Sequence, residues 1–244
     1  MSLRTAFDTP DLKRAHTRAL FATIADRYDL ITAVLSYGQD ARWKKKLIAL
    51  ANVERGERAL DLACGTGDLA FAAAAKGARV IGLDLTHRML QIATQKSGSA
   101  TFLAGDMGSL PFKPQSFDLV TTGYGLRNVP DLNTAIDEVA RVLRPGGRLL
   151  SLDFNRPQPA LIRAAYLSYL SVVGATLGWL LHRDPDTYRY IPASIRRYPG
   201  AEGVASLLAS RGFTGVRVIP LLGGLMTLHR AERSRSHPLP SSDG

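Results

Sequence analysis

Between residues 58 and 154 the sequence alternates short apolar runs with stretches of helical periodicity. Five of these runs have the length of strands, and they cover residues 58–63, 79–84, 100–106, 117–122 and 147–154. A β–α–β series of this kind predicts a parallel sheet covered by helices on both faces, with ligands at the carboxyl ends of the strands. A chain of 244 residues is long enough for one such domain with additional arms.

The pattern resumes near the carboxyl terminus with a helix over residues 201–211 and two further apolar runs. These runs, 216–219 and 225–229, flank Gly223-Gly224. A glycine pair between two apolar runs is typical of a β-hairpin. We therefore expect a mostly parallel seven-stranded sheet in which the last strand is antiparallel.

Residues 156–200 interrupt this pattern as an insertion. They include residues 164–181, which are 18 residues without a charged side chain and reach the lower limit for a membrane span. A span at this point would separate the last strands from the rest of the sheet. We therefore favour a hydrophobic lid or interfacial helix over a core helix or a span.

The remaining segments complete a three-part organisation. Residues 1–57 are predicted to form a helical arm that covers the substrate, and residues 58–231 form the main domain with its lid. Residues 232–244 are polar and rich in Ser and Pro, which predicts a tail without ordered structure. Within the main domain, Pro145-Gly146-Gly147 is predicted to end the helix that begins near Asp131 and to lead into the fifth strand.

A glycine-rich turn follows the first strand and predicts a nucleotide-like ligand. Gly65 and Gly67 let the backbone approach a ligand, and the next helix offers its free amides. This spacing also fits NAD, and a carboxylate for the ribose at Asp84 would serve either cofactor. Asp106 and Met107 fit an adenine, and Asp61 fits a cationic methionine moiety better than a pyrophosphate. The balance favours S-adenosylmethionine, and the predicted cofactor-binding residues are Asp61, Gly65, Thr66, Gly67, Asp84, Leu85, Asp106, Met107 and Gly123.

Several longer motifs resemble one enzyme family. The segments at residues 125–129, 141–147, 188–195 and 228–230 are similar to those of the C-methyltransferases of ubiquinone and menaquinone biosynthesis, the UbiE/MenG type. The resemblance covers residues 20–231. It implies a Rossmann-like class I methyltransferase fold, S-adenosylmethionine as cofactor, and methylation of a ring carbon on a polyprenylated quinol.

Side chains at the ends of the fourth and fifth strands are candidates for catalysis. Arg127 could stabilise phenolate charge, Asn128 could orient a ring oxygen, and Tyr124 could stack on the ring or donate to it. Asp153, at the tip of the fifth strand, is the best-placed carboxylate base by topology. A quinol ring and prenyl chain also need apolar and aromatic walls, and the predicted wall residues are Tyr28, Trp43, Tyr166, Tyr169, Trp179 and Tyr190.

The distribution of charge bears on partners and location. The net charge of +10 divides into +4 for residues 1–58, 0 for residues 59–155 and +6 for residues 156–244. Basic flanks around a neutral middle favour an anionic membrane surface over nucleic acid, and they are equally consistent with ordinary solvated surface charge. A single cysteine and the lack of a secretory signal predict a cytoplasmic, peripherally membrane-associated protein without a metal site.

Three other functions remain open from the sequence. They are a methyltransferase of the same fold that acts on another lipophilic small molecule, an NAD-dependent oxidoreductase, and a basic nucleic-acid or membrane adaptor without activity. The sequence also leaves open whether the protein is a monomer or a homodimer, and whether its quinol belongs to the menaquinone or the ubiquinone pathway.

Overall fold

One seven-stranded sheet organises the molecule. The computed structural model describes residue 3 and residues 5–235 of the chain. The strands are β1 (Arg58–Leu62), β2 (Arg79–Asp84), β3 (Ala100–Ala104), β4 (Phe117–Gly123), β5 (Leu143–Phe154), β6 (Phe213–Leu221) and β7 (Met226–Arg233). Their order across the sheet is β3-β2-β1-β4-β5-β7-β6. Strands β1 to β5 pair in parallel, whereas β7 is antiparallel to both neighbours, which confirms the predicted mixed sheet.

Helices cover both faces of the sheet and its carboxyl edge. They are α1 (Pro10–Ile24), α2 (Tyr28–Leu35), α3 (Asp40–Ala51), α4 (Asp68–Ala74), α5 (His87–Gln95), α6 (Leu132–Val142), α7 (Ala160–His182), α8 (Asp186–Arg197) and α9 (Gly200–Ser210). Strands β1 and β4 lie in the centre and are buried on both faces, as expected for parallel strands between two helical layers. The carboxyl ends of these central strands therefore open into the region enclosed by the arm and the insertion.

Helix α6 illustrates how the sequence determines these elements. The Asp131 carboxylate accepts hydrogen bonds from the Asn133 and Thr134 amides and caps the helix, as its predicted start requires. Residues at helical spacing, among them Ile136 and Val139, are fully buried against the sheet. The helix ends at Val142, before the Pro-Gly-Gly segment that was predicted to end it. Residues 143–147 instead already belong to strand β5, with a register shift where it pairs with β4.

The last strand also extends beyond its predicted limit. Glu232 pairs with Arg148 and with Thr214, and Arg233 pairs with Phe213, so the first two residues assigned to the tail lie in the sheet. The Arg233 guanidinium donates to the Leu143 carbonyl oxygen, which adds a side-chain anchor there. The predicted tail from residue 236 onward lies outside the described residues.

The insertion forms a helical hairpin of α7 and α8. A Cβ at Gly174 would lie 3.1 Å from the Tyr188 carbonyl oxygen, and one at Gly178 would lie 2.4 Å from that of Asp184. These two glycines thus allow the two helices to pack closely. By length and composition alone, α7 is the one helix among the described residues that could cross a membrane. Its apolar window is 22% buried in the protein, so most of that window is exposed.

The amino-terminal segment divides into two parts. Helix α3 packs into the core of the main domain, where Trp43 and Leu47 are buried. Helices α1 and α2 instead form a separate apolar cluster with the insertion, in which Ile24 and Ile31 pack near Tyr188. Met89 of α5 also belongs to this cluster, so the arm packs between the main domain and the insertion, and the two segments together enclose the carboxyl edge of the sheet.

Candidate active site

The turn between β1 and α4 requires its glycines. Gly65 and Gly67 have φ values of +54° and +89°, in the left-handed region that side chains disfavour. A Cβ on Gly67 would also lie 2.8 Å from the Phe71 ring and 2.9 Å from the Phe102 ring. Both the backbone conformation and the close packing therefore demand glycine at position 67.

Three carboxylates from successive strand ends surround this turn. The Asp84 carboxylate accepts hydrogen bonds from the Gly65 amide at 2.9 Å and from the Thr86 amide at 2.7 Å. The Asp61 carboxylate accepts one from the Thr121 hydroxyl at 2.7 Å. The carboxylate of Asp106, which lies after β3, accepts a hydrogen bond from the Gly108 amide at 2.8 Å. The sheet register thus places the three predicted acids along one edge.

Asp61 is the most perturbed of these acids. Burial raises the pKa of its carboxyl from 3.8 to about 7, against the opposing effects of the Thr121 hydroxyl and the Lys44 ammonium. Burial likewise raises the pKa of Asp84, although amide hydrogen bonds to its carboxylate act in the other direction. A buried carboxylate at such a position has a high affinity for a cationic ligand group, since that group restores the lost solvation.

Three adjacent recesses that share Ala63 lie along this edge, and they bring together all but one of the predicted cofactor residues. The exception is Gly67, which does not line them but forms the turn beside them. Their empty volumes are about 310, 420 and 440 Å³. The predicted residues that line them are Asp61, Gly65, Thr66, Asp84, Leu85, Asp106, Met107 and Gly123.

Residues of the arm close these recesses, and the sequence motifs did not indicate them. Thr17 and Phe21 of α1 line the recesses beside Asp84. The Arg14 guanidinium donates to the Asp106 carboxylate at 2.6 Å. The Thr66 hydroxyl donates to Asp29 of α2 at 2.7 Å. These residues of the arm had no predicted role in ligand binding, and the tertiary contacts identify them.

A larger apolar cavity of about 900 Å³ lies between the arm, the helical hairpin and the β6–β7 turn. Five of the six predicted aromatic wall residues line it; the exception, Trp179, is 65% exposed on the outer face of α7. Other lining residues were not predicted, because neither a motif nor periodicity shows which distant segments meet at one cavity; these include Phe21, Tyr37, Phe154, Tyr188 and Leu225.

Tyr124 separates the apolar cavity from the recesses and lines both. It follows β4 with a positive φ of 62°, and its backbone amide donates a hydrogen bond to the Leu152 carbonyl oxygen at 2.6 Å, which holds this conformation. Its hydroxyl donates to the Asp40 carboxylate at 2.5 Å, and Lys44 pairs with that carboxylate at 2.6 Å. Burial and the Asp40 charge raise the pKa of Tyr124 well above its usual value, so the phenol is a hydrogen-bond donor at neutral pH.

Arg127 lines the apolar cavity, and Asp153 lies behind it. The Asp153 carboxylate accepts from the Arg127 amide at 3.0 Å and from its guanidinium at 3.2 Å. The Arg127 guanidinium also donates to the Ser194 hydroxyl of α8. Asp153 is not among the residues that line the cavity, which places it behind Arg127 rather than at the cavity surface where topology predicted a base. Its position suits it to hold Arg127.

Asn128 connects this pair to the recesses. Its amide nitrogen donates to the Tyr124 carbonyl at 2.7 Å, and its amide oxygen accepts from the Arg127 guanidinium at 3.2 Å. The four predicted catalytic residues therefore lie in one continuous hydrogen-bonded group. Among the described residues, no group of three or more His, Cys, Asp or Glu side chains is placed to hold a metal ion.

Solved structures share this fold at low sequence identity. A SAM-dependent methyltransferase of Thermotoga maritima superimposes with a TM-score of 0.66 at 18% identity, over 90% of this chain and 100% of that one. The phosphoethanolamine N-methyltransferase 2 of Haemonchus contortus, in complex with S-adenosyl-L-methionine, gives a TM-score of 0.59 at 17% identity, over 80% of this chain and 53% of that one. The predicted Rossmann-like methyltransferase fold is confirmed.

Curated relatives are much more similar in sequence. The ubiquinone/menaquinone biosynthesis C-methyltransferase UbiE of Serratia proteamaculans is 37% identical over 90% of this chain and 91% of its own length. The demethylmenaquinone methyltransferase of Thermus thermophilus is 39% identical over 88% of this chain and 100% of its own length. The model of the ubiE/COQ5 methyltransferase family matches residues 9–233, and the chain belongs to that family.

Proposed function

We propose that the protein transfers a methyl group from S-adenosylmethionine to a ring carbon of a polyprenyl quinol such as demethylmenaquinol. The observation that carries this proposal is the aromatic-walled cavity of about 900 Å³ that meets the acidic recesses at Tyr124. The names of the relatives, which are methyltransferases of ubiquinone and menaquinone biosynthesis, support the same substrate class. Family membership favours this reading over the NAD-dependent oxidoreductase and the adaptor.

The recesses fit S-adenosylmethionine by the chemistry of their donors and acceptors. The two oxygens of the Asp84 carboxylate each accept one hydrogen bond from a backbone amide, and each retains a lone pair for a ribose hydroxyl. Asp106 can accept from the adenine amine while Met107, beside it, packs on the ring. Burial raises the pKa of the Asp61 carboxyl to about 7, and a cationic methionine moiety beside it would favour the ionised form and pair with that charge. When bound, the cofactor supplies an electrophilic methyl group on a positively charged sulfur.

The protein's own contribution is to hold a reduced ring and keep water away. A quinone carbon is electron-poor, whereas a quinol or its phenolate places electron density on the carbon beside the hydroxyl group. The Arg127 guanidinium, which lines the cavity, stabilises the negative charge that develops on the ring oxygen. Tyr124 and the apolar walls orient the ring and exclude water, effects that contribute several kcal/mol in well-aligned reactions.

We place the substrate's prenyl chain toward the outer surface of the insertion and the protein at a membrane surface. Tyr37, Tyr169 and Leu222 line the cavity and are exposed. Along α7, Val172 and Trp179 expose 67% and 65% of their surface. An apolar surface of this kind at the mouth of a lipid-binding cavity supports peripheral binding to a bilayer. Vesicle flotation tests this: release by salt or carbonate supports peripheral binding, and release by detergent alone contradicts it.

The reaction is tested with purified protein, radiolabelled S-adenosylmethionine and demethylmenaquinol without oxygen. We expect labelled menaquinol from the reduced substrate and none from the quinone when no reductant is present. Asp84→Ala should weaken cofactor binding roughly 30-fold, because charge-assisted hydrogen bonds to the ribose are lost. Equal turnover of the oxidised ring, or cofactor affinity unchanged in this variant, would refute the mechanism or the site.

A further inference from the structure

A separate polar pocket lies at the base of the helical hairpin, away from the apolar cavity and the three recesses. It has an empty volume of about 710 Å³ and lies between the segment after β5, the first turns of α7 and the end of α8. We call it the arginine pocket, and its lining residues are Arg156, Arg163, Arg196 and Ser168 with Ala160, Ala164 and Leu167. No carboxylate is among them.

The three arginines of this pocket differ from other arginines of the protein in their ionic contacts. Within the part of the chain that the structure describes, none of them forms an ion pair, whereas Arg148 and Arg211, for example, each pair with a carboxylate at 2.7–2.8 Å. Three uncompensated cations around one pocket repel each other, and a bound anion would remove this repulsion. Guanidinium groups are also the side chains best suited to bind phosphate oxygens in pairs.

Arg163 is held in place before any ligand arrives. Its guanidinium donates to the carbonyl oxygens of Pro157 and Gln158, at 3.2 Å and 3.0 Å. Both Arg156 and Arg163 are half-buried, whereas Arg196 is exposed at the rim. Because two of the three cations sit partly out of solvent, a phosphate in this pocket is screened less by salt than one on an open surface.

Exposed apolar side chains lie beside the arginine pocket. Leu161 and Ile162, which precede Arg163 in the first turn of α7, expose 84% and 53% of their surface. A free phosphate ion would not use these side chains, whereas a phospholipid presents a phosphate and acyl chains together. We propose that the arginine pocket binds the phosphate of an anionic membrane phospholipid while Leu161 and Ile162 insert among its acyl chains.

This inference rests on the proposed membrane-surface function and gives it a defined point of contact. The apolar side chains that continue along α7, including Val172 and Trp179, belong to the same exposed helix. A phosphate bound at the start of α7 would fix that end of the helix at the bilayer. The lipid surface would then lie beside the exposed rim of the apolar cavity, where a prenylated substrate enters.

The experiment compares two triple variants of equal charge. Arg156→Gln/Arg163→Gln/Arg196→Gln removes the arginine pocket. The control, Arg55→Gln/Arg58→Gln/Arg79→Gln, removes three exposed arginines at the amino-terminal ends of β1 and β2, the edge of the sheet away from the site. Binding is measured on phosphatidylcholine vesicles with roughly 30% phosphatidylglycerol, and we expect the pocket variant to bind at least about tenfold more weakly while the control changes less than about twofold.

Each outcome decides the inference. Equal losses in the two triples would show that only net charge matters and would overturn it. Inorganic phosphate is the second probe: if it binds the protein without vesicles and pocket removal abolishes that binding but leaves vesicle binding intact, the ligand is a soluble phosphate. Arg196→Gln alone, at an exposed position, replaces the triple if the triple fails to fold, and should weaken vesicle binding about threefold.

A separate readout distinguishes this inference from the proposed function. Methyl transfer to a short-chain demethylquinol in detergent does not require a bilayer, so the pocket variant should retain wild-type activity there. Absence of that activity in the wild-type protein would refute the quinol methyltransferase itself. Loss of vesicle binding with intact activity in detergent is the result expected only if the arginine pocket serves membrane attachment.

Discussion

The two halves of the candidate site are built in different ways. The cofactor half consists of strand ends and tight turns, and its polar groups hydrogen-bond to the backbone beside them, as Asp84 does with Gly65. The substrate half consists of side chains from the arm, the insertion and the β6–β7 turn, which contact each other through apolar surfaces such as Phe21 and Leu225. Sheet register fixes the first half, whereas packing between separate helices fixes the second.

The two halves should therefore respond differently to substitutions. Backbone hydrogen bonds hold the cofactor half. A side-chain substitution there should therefore alter affinity for the cofactor without moving the strands and turns. The substrate half depends on apolar contacts between α1, α2, the helical hairpin and Met89 of α5, in a cluster separate from those that contain the strands. We expect variants in the two halves to affect cofactor affinity and quinol affinity separately, except at the groups that join the halves.

The largest effect is expected where the halves meet, at the Arg127–Asp153 pair. Asp153→Ala leaves the Arg127 guanidinium, whose side chain is 4% exposed, without its counter-charge. Removing one partner of a buried ion pair costs about 3–5 kcal/mol of the free energy of unfolding. Denaturant titration measures this loss.

The control for that experiment is an exposed pair. Asp137 pairs with Arg211 while its side chain is 42% exposed. Asp137→Ala should therefore change the free energy of unfolding by less than about 1 kcal/mol. If the two variants lost equal stability, the buried Arg127 guanidinium would not depend on Asp153 for its counter-charge.

Asp61→Asn separates stability from binding within the cofactor half. Burial raises the pKa of the Asp61 carboxyl from 3.8 to about 7, so the folded state holds its proton over a range in which the unfolded state has lost it. Stability from this group therefore falls as pH rises from about 4 to 7. At pH 8 the neutral amide should raise the free energy of unfolding by roughly 2–4 kcal/mol, while affinity for S-adenosylmethionine falls.

Asp68 provides a control of opposite sign. Burial raises the pKa of its carboxyl, but the ammonium groups of Lys44 and Lys96 outweigh burial and lower it. Asp68→Asn should therefore lower stability at pH 8 rather than raise it. Thermal unfolding at pH 4 and pH 8 measures both variants, and a stability gain for Asp68→Asn, or none for Asp61→Asn, would contradict this assignment.

The cofactor half was predictable from the sequence for a physical reason. Parallel strands end at one edge, so residues at or just after the carboxyl ends of neighbouring strands, such as Asp61, Asp84 and Asp106, must lie near each other whatever the connecting helices do. A left-handed turn also leaves a signature, because only glycine fits position 67. In both cases a local property of the sequence determines a position in space.

The substrate half was not predictable in detail because periodicity identifies an apolar face but not what covers it. Trp179 belongs to an apolar helix, yet its face of α7 is exposed and it lines no part of the cavity. Asp153 was predicted as a base from its position at the tip of β5. The chain after β4 instead passes over it and directs the Arg127 amide and guanidinium at its carboxylate, a path that strand order does not specify.

A change confined to the substrate half should alter quinol use alone. Leu225, in the β6–β7 turn, lines the apolar cavity but none of the cofactor recesses. Leu225→Ala removes apolar contact worth about 1–2 kcal/mol and should raise the KM for a prenylated quinol about tenfold. The affinity for S-adenosylmethionine, measured by calorimetry, should stay the same. Leu103→Ala on edge strand β3, at a residue 39% exposed, is the control and should change neither.

The smallest effect is expected at Arg14, which links the arm to the cofactor half. Its guanidinium donates to Asp106 at 2.6 Å, and Asp11 pairs with the same guanidinium at 2.7 Å. A carboxylate has lone pairs for several donors, so Asp106 can accept from an adenine amine while it remains bonded to Arg14. Arg14→Met should therefore weaken cofactor binding only about two- to fivefold, because a partly exposed ion pair is worth no more than about 1 kcal/mol. The difference from wild type should disappear at high salt, since salt screens exposed charges. Tighter binding in the variant would show instead that Arg14 competes with the adenine for Asp106, and the arm would then oppose cofactor binding rather than support it.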